Sequence, residues 1–331
     1  MTTKIGSAGS AGPGSVAVRA RSQPSRTTLL VAFATLYVLW GSTYFAIRVA
    51  VSSWPPFVLA AVRFAVAGGG LYVFLRARGA PSPSPRNWGA ATAVGALLLV
   101  GGNGLVCWAE QWVPSGETAL IIATVPLWMT LLPWLTRRAP APRPAVLIGV
   151  AVGLVGVATL VGGGTPGARG GGPTSAVIAG RIALLAASLS WSLGSLGSRY
   201  LPLPDRPFVA TAMEMLTASP LLAAMALGAG AWGRFHLAAV TPAGWIALLY
   251  LIVFGSIAGF GSYVFLLKHT SAARASTYAF VNPLVAVALG AIAGGEVVGP
   301  RTAAAALLIV AAVGAVIFGS SASTPPIEDL P

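Results

Sequence analysis

Two charged side chains stand inside stretches of otherwise apolar sequence. Arg63 lies about seven residues into the apolar run 57–76, and Glu214 occupies the equivalent place in the run 207–228. A charge in hydrocarbon is costly, so such side chains face protein or a watery cavity. They predict a polar path that binds or gates a small molecule. The alternatives are a structural ion pair or, for Arg63, a side chain that reaches up to the membrane surface.

Uncharged candidates for substrate contact lie at similar depths in the apolar runs. They carry an aromatic ring, an amide or a hydroxyl: Trp40, Ser42, Tyr44, Asn103, Trp191, Tyr263, Tyr278 and Asn282. Aromatic rings away from the membrane surface can enclose a planar or cationic molecule, or simply pack in a helix bundle. The amides bind a substrate or join two helices, and the Ser42 hydroxyl faces a substrate or bonds back to its own helix.

Two acids border the short segment between the third and fourth apolar runs. We treat Glu110 as a candidate for capping or gating the outer mouth of the path, with a solvated loop acid as the alternative. We interpret Glu117 as a solvated loop acid. The seven acids and two histidines are spread along the chain, so no catalytic or metal site is predicted.

The elements that position these residues follow from composition. Of the 331 residues, 56% are hydrophobic and 8% are charged, whereas a soluble domain carries about a quarter charged residues. Lipid is the solvent that fits such a chain. The net charge of +13 comes from arginines in short loops, so no nucleic-acid partner is expected. One cysteine, Cys107, excludes a disulfide within the chain.

The apolar runs are long enough for helices that cross a bilayer, which takes about 20 residues. Lipid offers no partner to unpaired backbone groups, so the predicted fold class is all-α. The predicted spans lie near 28–47, 57–76, 89–109, 117–136, 144–163, 181–198, 207–228, 243–266, 273–294 and 302–320.

The basic residues predict the orientation of these ten transmembrane helices. With the N-terminus inside, the cytoplasmic segments hold fourteen Lys and Arg residues and the opposite side holds five. Positive charge concentrates on the cytoplasmic side. We therefore expect a multi-pass protein of the inner membrane, with cytoplasmic tails at 1–26, which we expect to be disordered, and at 321–331.

The two halves of the chain resemble each other. Trp40 matches Trp191 at a shift of 151 residues, and Pro126 matches Pro283 at 157. The predicted repeats are 27–163 and 181–320, joined by a Gly-rich linker at 164–180. Five spans is an odd number, so the second repeat is inverted, as in many secondary transporters. Inversion places Arg63 in the outer half of the membrane and Glu214 in the inner half, so no direct bridge between them is expected.

Several motifs support this interpretation. They are Leu39-Trp40-Gly41-Ser42-Thr43-Tyr44-Phe45-Ala46, Pro56-Phe57, Arg63-Phe64, Gly102-Asn103-Gly104, Ala109-Glu110-Gln111, Pro114-Ser115-Gly116, Pro126-Leu127, Trp191-Ser192-Leu193-Gly194-Ser195, Pro283-Leu284 and Glu296. With these motifs the chain resembles the EamA-type family of the drug/metabolite transporter superfamily, its YedA-like branch in particular, from about residue 30 to 320. The resemblance implies ten helices, cytoplasmic termini and export of metabolites, amino acids or drugs. It also implies that the fifth and tenth helices lie outside the central cavity.

The predicted function is a secondary transporter that exports a small metabolite, amino acid or drug-like compound by alternating access. The alternatives are an integral membrane enzyme and a partner subunit that does not transport. The sequence holds no Walker motif or Gly-rich nucleotide loop, so neither ATP nor another cofactor is expected. The small-residue face Gly149-x-x-x-Gly153, continued by Gly156, predicts tight helix packing within the chain or in a homodimer.

Overall fold

The structure of the chain, a computed structural model, describes residues 24–161, 174–270 and 277–321. Within these ranges the regular secondary structure is helical, with no strand. Apart from residues 24–26 and 321, the predicted tails lie outside the described residues, and so does most of the predicted Gly-rich linker.

The helices follow one another with short connections. We number the long ones in chain order: α1 Arg26–Ala50, α2 Pro56–Ala77, α3 Pro85–Ala109, α4 Ser115–Leu135, α5 Pro144–Val161, α6 Thr174–Gly197, α7 Pro207–Gly228, α8 from Pro242 to His269, α9 Tyr278–Gly294 and α10 Pro300–Ser321. Two helical turns, Ala231–Arg234 and Leu237–Ala239, lie between α7 and α8.

Seven of the described helices are long and apolar enough to cross a membrane. They are α1, α2, α3, α4, α6, α7 and α8. Shorter apolar helices occur in the other three, at Pro144–Thr159, Val281–Gly294 and Pro300–Ala315. The chain is therefore an all-helical membrane protein, as its composition predicts.

Prolines mark the starts of many helices. A proline suits the first turn because its nitrogen has no hydrogen to leave unpaired and its φ is already helical. The helices that begin with this residue are α2, α3, α5, α7, α8 and α10. These starts are visible in the sequence, which is why the predicted boundaries fall within a few residues of most observed ones.

The start of α6 differs from its prediction. The helix begins at Thr174, seven residues before the predicted span, and therefore contains Arg181. The prediction kept this charge at the membrane edge. The structure buries it instead, because Glu117 of α4 pairs with it.

Two long helices contain π-helical segments at corresponding places. In α3 the segment is Ala96–Gly104, and in α8 it is Leu251–Gly259. A π-helical turn is wider than an α-helical one and often occurs at functional sites. These two segments face the centre of the bundle, where they meet α1, α2, α6 and α7.

The helices pack in a consistent pattern around that centre. The helix α2 lies along α7, α1 packs against α8 and α9, and α6 packs against α3 and α4. The helices α5 and α10 lie along each other at one side. A Cβ added at Gly153 would lie 3.1 Å from Ala312 Cβ, and one at Gly156 would lie 2.9 Å from Ile309. At Gly153 and Gly156 the predicted small-residue face is thus filled by α10 of the same chain.

Candidate functional site

A cavity lies at the centre of the bundle, between the π-helical segments and α1. Its lining residues come from α1, α2, α3, α4, α6, α8 and α9, and none comes from α5 or α10. Six predicted site residues line it: Trp40, Tyr44, Arg63, Asn103, Trp191 and Tyr278. The cavity has a volume of about 70 Å³, which is room for a few water molecules. Admitting a metabolite requires the surrounding helices to separate.

Arg63 is the charged group of this cavity. Its guanidinium Nε donates to Ser256 Oγ at 2.8 Å and its Nη1 donates to Asn103 Oδ1 at 3.2 Å. The guanidinium carbon also lies 5.0 Å from the centre of the Phe64 ring. Only 4% of the residue is exposed. Among the described residues no carboxylate pairs with it, so the cavity wall carries an uncompensated positive charge.

The π-helical segments supply both hydrogen-bond partners of Arg63. Asn103 belongs to the segment in α3, and Ser256 belongs to the one in α8. Beside Ser256, a Cβ at Gly255 would lie 3.0 Å from Arg63 Nη2 and 2.9 Å from Thr43 Cγ2. A residue with a side chain there would press on the guanidinium. The two segments and this glycine therefore set the position of the cation.

Aromatic rings form the other wall of the cavity, with Trp40 at their centre. The Trp40 ring lies 5.7 Å from the Trp191 ring, 5.0 Å from Tyr263 and 5.2 Å from Tyr278, between ring centres. Its indole nitrogen donates to the Gly255 carbonyl at 3.3 Å. The two tryptophans that match in the sequence are thus in edge-to-face contact, an arrangement that aromatic pairs favour.

Trp191 brings an indole N–H donor to the cavity. Its Nε1 is buried and makes no hydrogen bond of ordinary geometry among the described residues, while the side chains of Tyr263 and Tyr278 lie close to it. An unpaired buried donor costs free energy. Together with Arg63, this group makes the cavity a place suited to an oxygen that accepts hydrogen bonds, and to a negatively charged one above all.

Three of the predicted site residues do not line the cavity and instead contact the residues around it. The Ser42 hydroxyl bonds to Tyr250 Oη at 2.6 Å and to its own helix at Leu39 O at 2.9 Å. Tyr263 packs behind Trp40. The Asn282 amide, with its NH₂ turned to the neighbouring carbonyls, reaches Tyr37 O and Tyr278 O, both at 3.2 Å. Asn282 therefore joins α9 to α1, which is the second of its two sequence interpretations.

The two remaining candidates are buried acids away from the cavity wall. Glu214 in α7 is 5% exposed, and within the described part of the chain its carboxylate has no ion-pair or hydrogen-bond partner. The ion pairs of the described residues include none between Glu214 and Arg63. Glu110 follows α3 and is fully buried, with both carboxylate oxygens unpartnered among described residues. Burial raises the pKa of the Glu110 carboxyl well above its usual range. Arg48 donates to the Glu110 backbone carbonyl, not to its side chain.

The interpretation of Glu117 as a solvated loop acid was wrong. Its carboxylate oxygens accept from Arg181 Nε at 2.5 Å and Nη2 at 3.3 Å, and the two side chains are 5% and 4% exposed. Glu296 also has a role that residue type alone did not indicate. It accepts hydrogen bonds from the first residues of α4. Only its place in a family motif singled it out in the sequence.

The sequence and fold match known proteins over most of their length. The model of the EamA-like transporter family matches residues 27–162 and again 178–318. The chain belongs to the EamA-like transporter family. The "Uncharacterized inner membrane transporter YedA" of Escherichia coli K12 is 40% identical over 81% of this chain and 83% of its own.

More distant matches also cover most of the chain. The "Probable amino-acid metabolite efflux pump" of Salmonella typhimurium LT2 is 23% identical over 85% of this chain and 92% of its own. One solved crystal structure aligns with a TM-score of 0.59 and 22% identity, over 88% of this chain and 98% of that one, which shows a shared fold. This chain is a membrane transporter and not an enzyme, as an EamA-like protein should be.

Proposed function

We propose that this transporter exports a small metabolite or amino acid that carries a carboxylate, by alternating access across the inner membrane. The observation that carries the proposal is the buried guanidinium of Arg63, which faces the central cavity with only neutral hydrogen-bond partners. A buried cation without a counter-ion is costly. A substrate carboxylate would supply the missing charge, and a protein–substrate ion pair formed there would be strong because water is excluded.

The neighbouring groups suit such a molecule. The indole N–H of Trp191 offers a second donor, on the aromatic wall of the cavity. The rings around Trp40 offer an apolar surface to the rest of the substrate. The name of the Salmonella relative, an amino-acid metabolite efflux pump, agrees with a substrate of this class.

We further infer that ten membrane spans form two inverted five-helix repeats, α1 to α5 and α6 to α10, the second beginning at Thr174 within the predicted linker 164–180. The two consecutive family matches support this. So do paired contacts: a Cβ at Gly102 would lie 3.0 Å from the Trp191 ring, and one at Gly259 would lie 2.6 Å from the Trp40 ring. These residues correspond to each other in the repeat. Tails at 1–26 and 321–331 then both lie in the cytoplasm, which reporter fusions to each terminus would test.

Transport itself is tested with the purified protein in liposomes. The vesicles are loaded with labelled amino acids and organic carboxylates, or with organic cations and the uncharged amides of the same acids. We expect saturable efflux of the carboxylates and none of the amides. Efflux of the cations with exclusion of the carboxylates would refute the proposed substrate class.

The indole N–H of Trp191 gives a specific prediction. Trp191→Phe keeps an aromatic ring in the cavity and removes the indole N–H, which makes no hydrogen bond of ordinary geometry among the described residues. A hydrogen bond to a charged group contributes about 1.5–3 kcal/mol, so the half-saturating concentration of a carboxylate should rise about tenfold or more. Trp232→Phe is the control, because that exposed ring does not line the cavity and its N–H bonds Ala223 O. An unchanged half-saturating concentration in Trp191→Phe would contradict a role for this donor.

The unpaired acid in α7 gives a prediction about energy coupling. Glu214 is buried without a cationic partner among described residues, a setting in which a carboxyl readily exchanges a proton. We expect Glu214→Gln to abolish the stimulation of efflux by a pH gradient while exchange of internal for external substrate continues. Asp205→Asn, an exposed acid in the α6–α7 connection, is the matched control. Gradient-driven efflux that survives in Glu214→Gln would assign coupling to another group.

A further inference from the structure

A carboxylate from the second half of the chain holds the start of α4. Glu296, between α9 and α10, accepts from Ser115 N at 2.8 Å and from Ser115 Oγ at 2.7 Å through Oε1. Its Oε2 accepts from Gly116 N at 3.1 Å. The first amides of a helix lack partners within the helix, so the carboxylate satisfies them and faces the positive end of the helix dipole. We call these three hydrogen bonds the latch.

The latched part of α4 is a separate helical segment. It comprises Ser115–Ile122, which we call the gate segment, and the helix resumes at Val125. The break has a covalent cause: Pro126 has no N–H to donate to the carbonyl of Ile122. Both Ile122 and Val125 line the central cavity. The gate segment therefore runs from the cavity wall to the latch, with a natural bending point at its cavity end.

The interface between the gate segment and α9 is close and depends on two glycines. A Cβ at Gly116 would lie 2.9 Å from Val287 Cγ2. A Cβ at Gly290 would overlap the tip of Glu296 and lie 3.0 Å from Ser115 Oγ. Gly290 thus leaves the space through which Glu296 reaches the gate segment.

Among the described residues, the latch and the ion pair of Glu117 with Arg181 both hold the gate segment, and they differ in how easily they separate. The ion pair of Glu117 with Arg181 is almost fully buried on both sides. Breaking such a pair strands a charge without compensation. The latch is only partly buried, so water can replace its hydrogen bonds. The latch therefore separates more easily than the ion pair. Its separation leaves the gate segment attached to α6 through Glu117 and Arg181.

From these contacts we infer that Ser115–Ile122 is the outer gate of the central cavity and that Glu296 latches it shut. Opening parts the gate segment from α9 and the α9–α10 connection, bends α4 at Ala123 and Thr124, and connects the cavity to the outer side. Glu296 acts on transport by positioning this segment, since it does not touch the cavity. The inference rests on the alternating-access cycle proposed above.

The test reads the opening directly and needs no substrate. Cys107 is the only cysteine of the chain, so Cys107→Ala gives a cysteine-free background. Val106, which lines the cavity and is 6% exposed, is replaced by Cys as the reporter. Its rate of reaction with a charged, membrane-impermeant thiol reagent is measured in right-side-out and in inverted vesicles.

Two variants break the latch in different ways. Glu296→Gln removes the charge, and Gly290→Ala keeps the charge but fills the space of the carboxylate tip. Both should raise the reaction rate from the outer side about tenfold, which corresponds to a shift of about 1.4 kcal/mol in the opening equilibrium. Asp205→Asn, an exposed loop acid, should leave the rate unchanged.

Equal rates in all folded variants, as judged by their thermal unfolding, would overturn the inference. So would a rise in Glu296→Gln without one in Gly290→Ala, because it would trace the effect to charge and not to the latch. The labelling experiment tests the gate independently of the proposed transport function. Faster labelling of the reporter cysteine in the two latch variants, with no efflux of any tested compound, would support the gate and refute the proposed substrate class. Efflux of carboxylates, with unchanged labelling of the reporter cysteine in the latch variants, would support the proposed transport function and refute the gate.

Discussion

Replacing Arg63 with Gln is expected to lower the affinity of the transporter for carboxylate substrates by about a hundredfold. Losing one partner of a buried, hydrogen-bonded charge pair costs about 2–5 kcal/mol, and each 1.4 kcal/mol corresponds to a tenfold change in affinity. Arg63 is the cation that faces the cavity among the described residues, and its neighbours Ser256 and Asn103 are neutral. The remaining amide of Gln could still bond these neighbours but could not balance a substrate charge.

The measurement is the concentration dependence of efflux from liposomes. Arg63→Lys should retain part of the affinity, because an ammonium keeps the charge but cannot bond Ser256 and Asn103 with the geometry of a guanidinium. Arg234→Gln is a suitable control, since that exposed side chain bonds only the backbone carbonyls of Gly230 and Ala229 among the described residues. Wild-type affinity in a folded Arg63→Gln protein would make Arg63 a structural residue that joins α2 to α3 and α8.

Replacing Arg181 with Ala is expected to destabilise the protein by about 3–5 kcal/mol, the typical cost of stranding one partner of a buried ion pair. Glu117 and Arg181 are in contact at 2.5 Å, with 5% and 4% of their side chains exposed. In Arg181→Ala the Glu117 carboxylate would remain buried with its strongest partner gone. We expect the thermal unfolding temperature in detergent to fall by on the order of 10 °C.

A double substitution separates the cost of a stranded charge from the value of the pair. Glu117→Gln with Arg181→Met replaces both charges by neutral groups of similar size, and should recover much of the lost stability. Arg206→Ala, at an exposed position just before α7, should leave the unfolding temperature unchanged. A double variant less stable than Arg181→Ala would mean that the pair contributes more than charge compensation.

The membrane class and most helix positions could be predicted from the sequence. A run of about 20 apolar residues has one stable form in lipid, the helix, and prolines such as Pro56 and Pro207 mark where helices begin. The length of an apolar run and the position of a proline can both be recognised from neighbouring residues in the sequence. The start of α6 was missed because its first turns contain Arg181, and only a partner from α4 makes that charge acceptable in a buried helix.

The candidate site was predictable in its members but not in their arrangement. Charges and aromatic rings inside apolar runs drew attention to Arg63, Trp40 and Trp191, and these do line one cavity. Ser42 and Asn282 were predicted to lie beside them only because they occur at similar depths in the apolar runs. Depth gives the level of a residue in the membrane but not the side of the helix on which it points, and both of these side chains point to neighbouring helices.

The sequence by itself determined that this chain is an all-helical membrane protein and to which family it belongs, because hydrophobic length and motif order are properties of the chain alone. Only the tertiary structure decided which polar groups meet. It joined Arg63 to Asn103 and Ser256, Glu117 to Arg181, and Glu296 to the start of α4. The physical reason is that such contacts join residues distant in sequence, and their existence depends on helix rotation and on the wide turns of the π-helical segments, which no local pattern records.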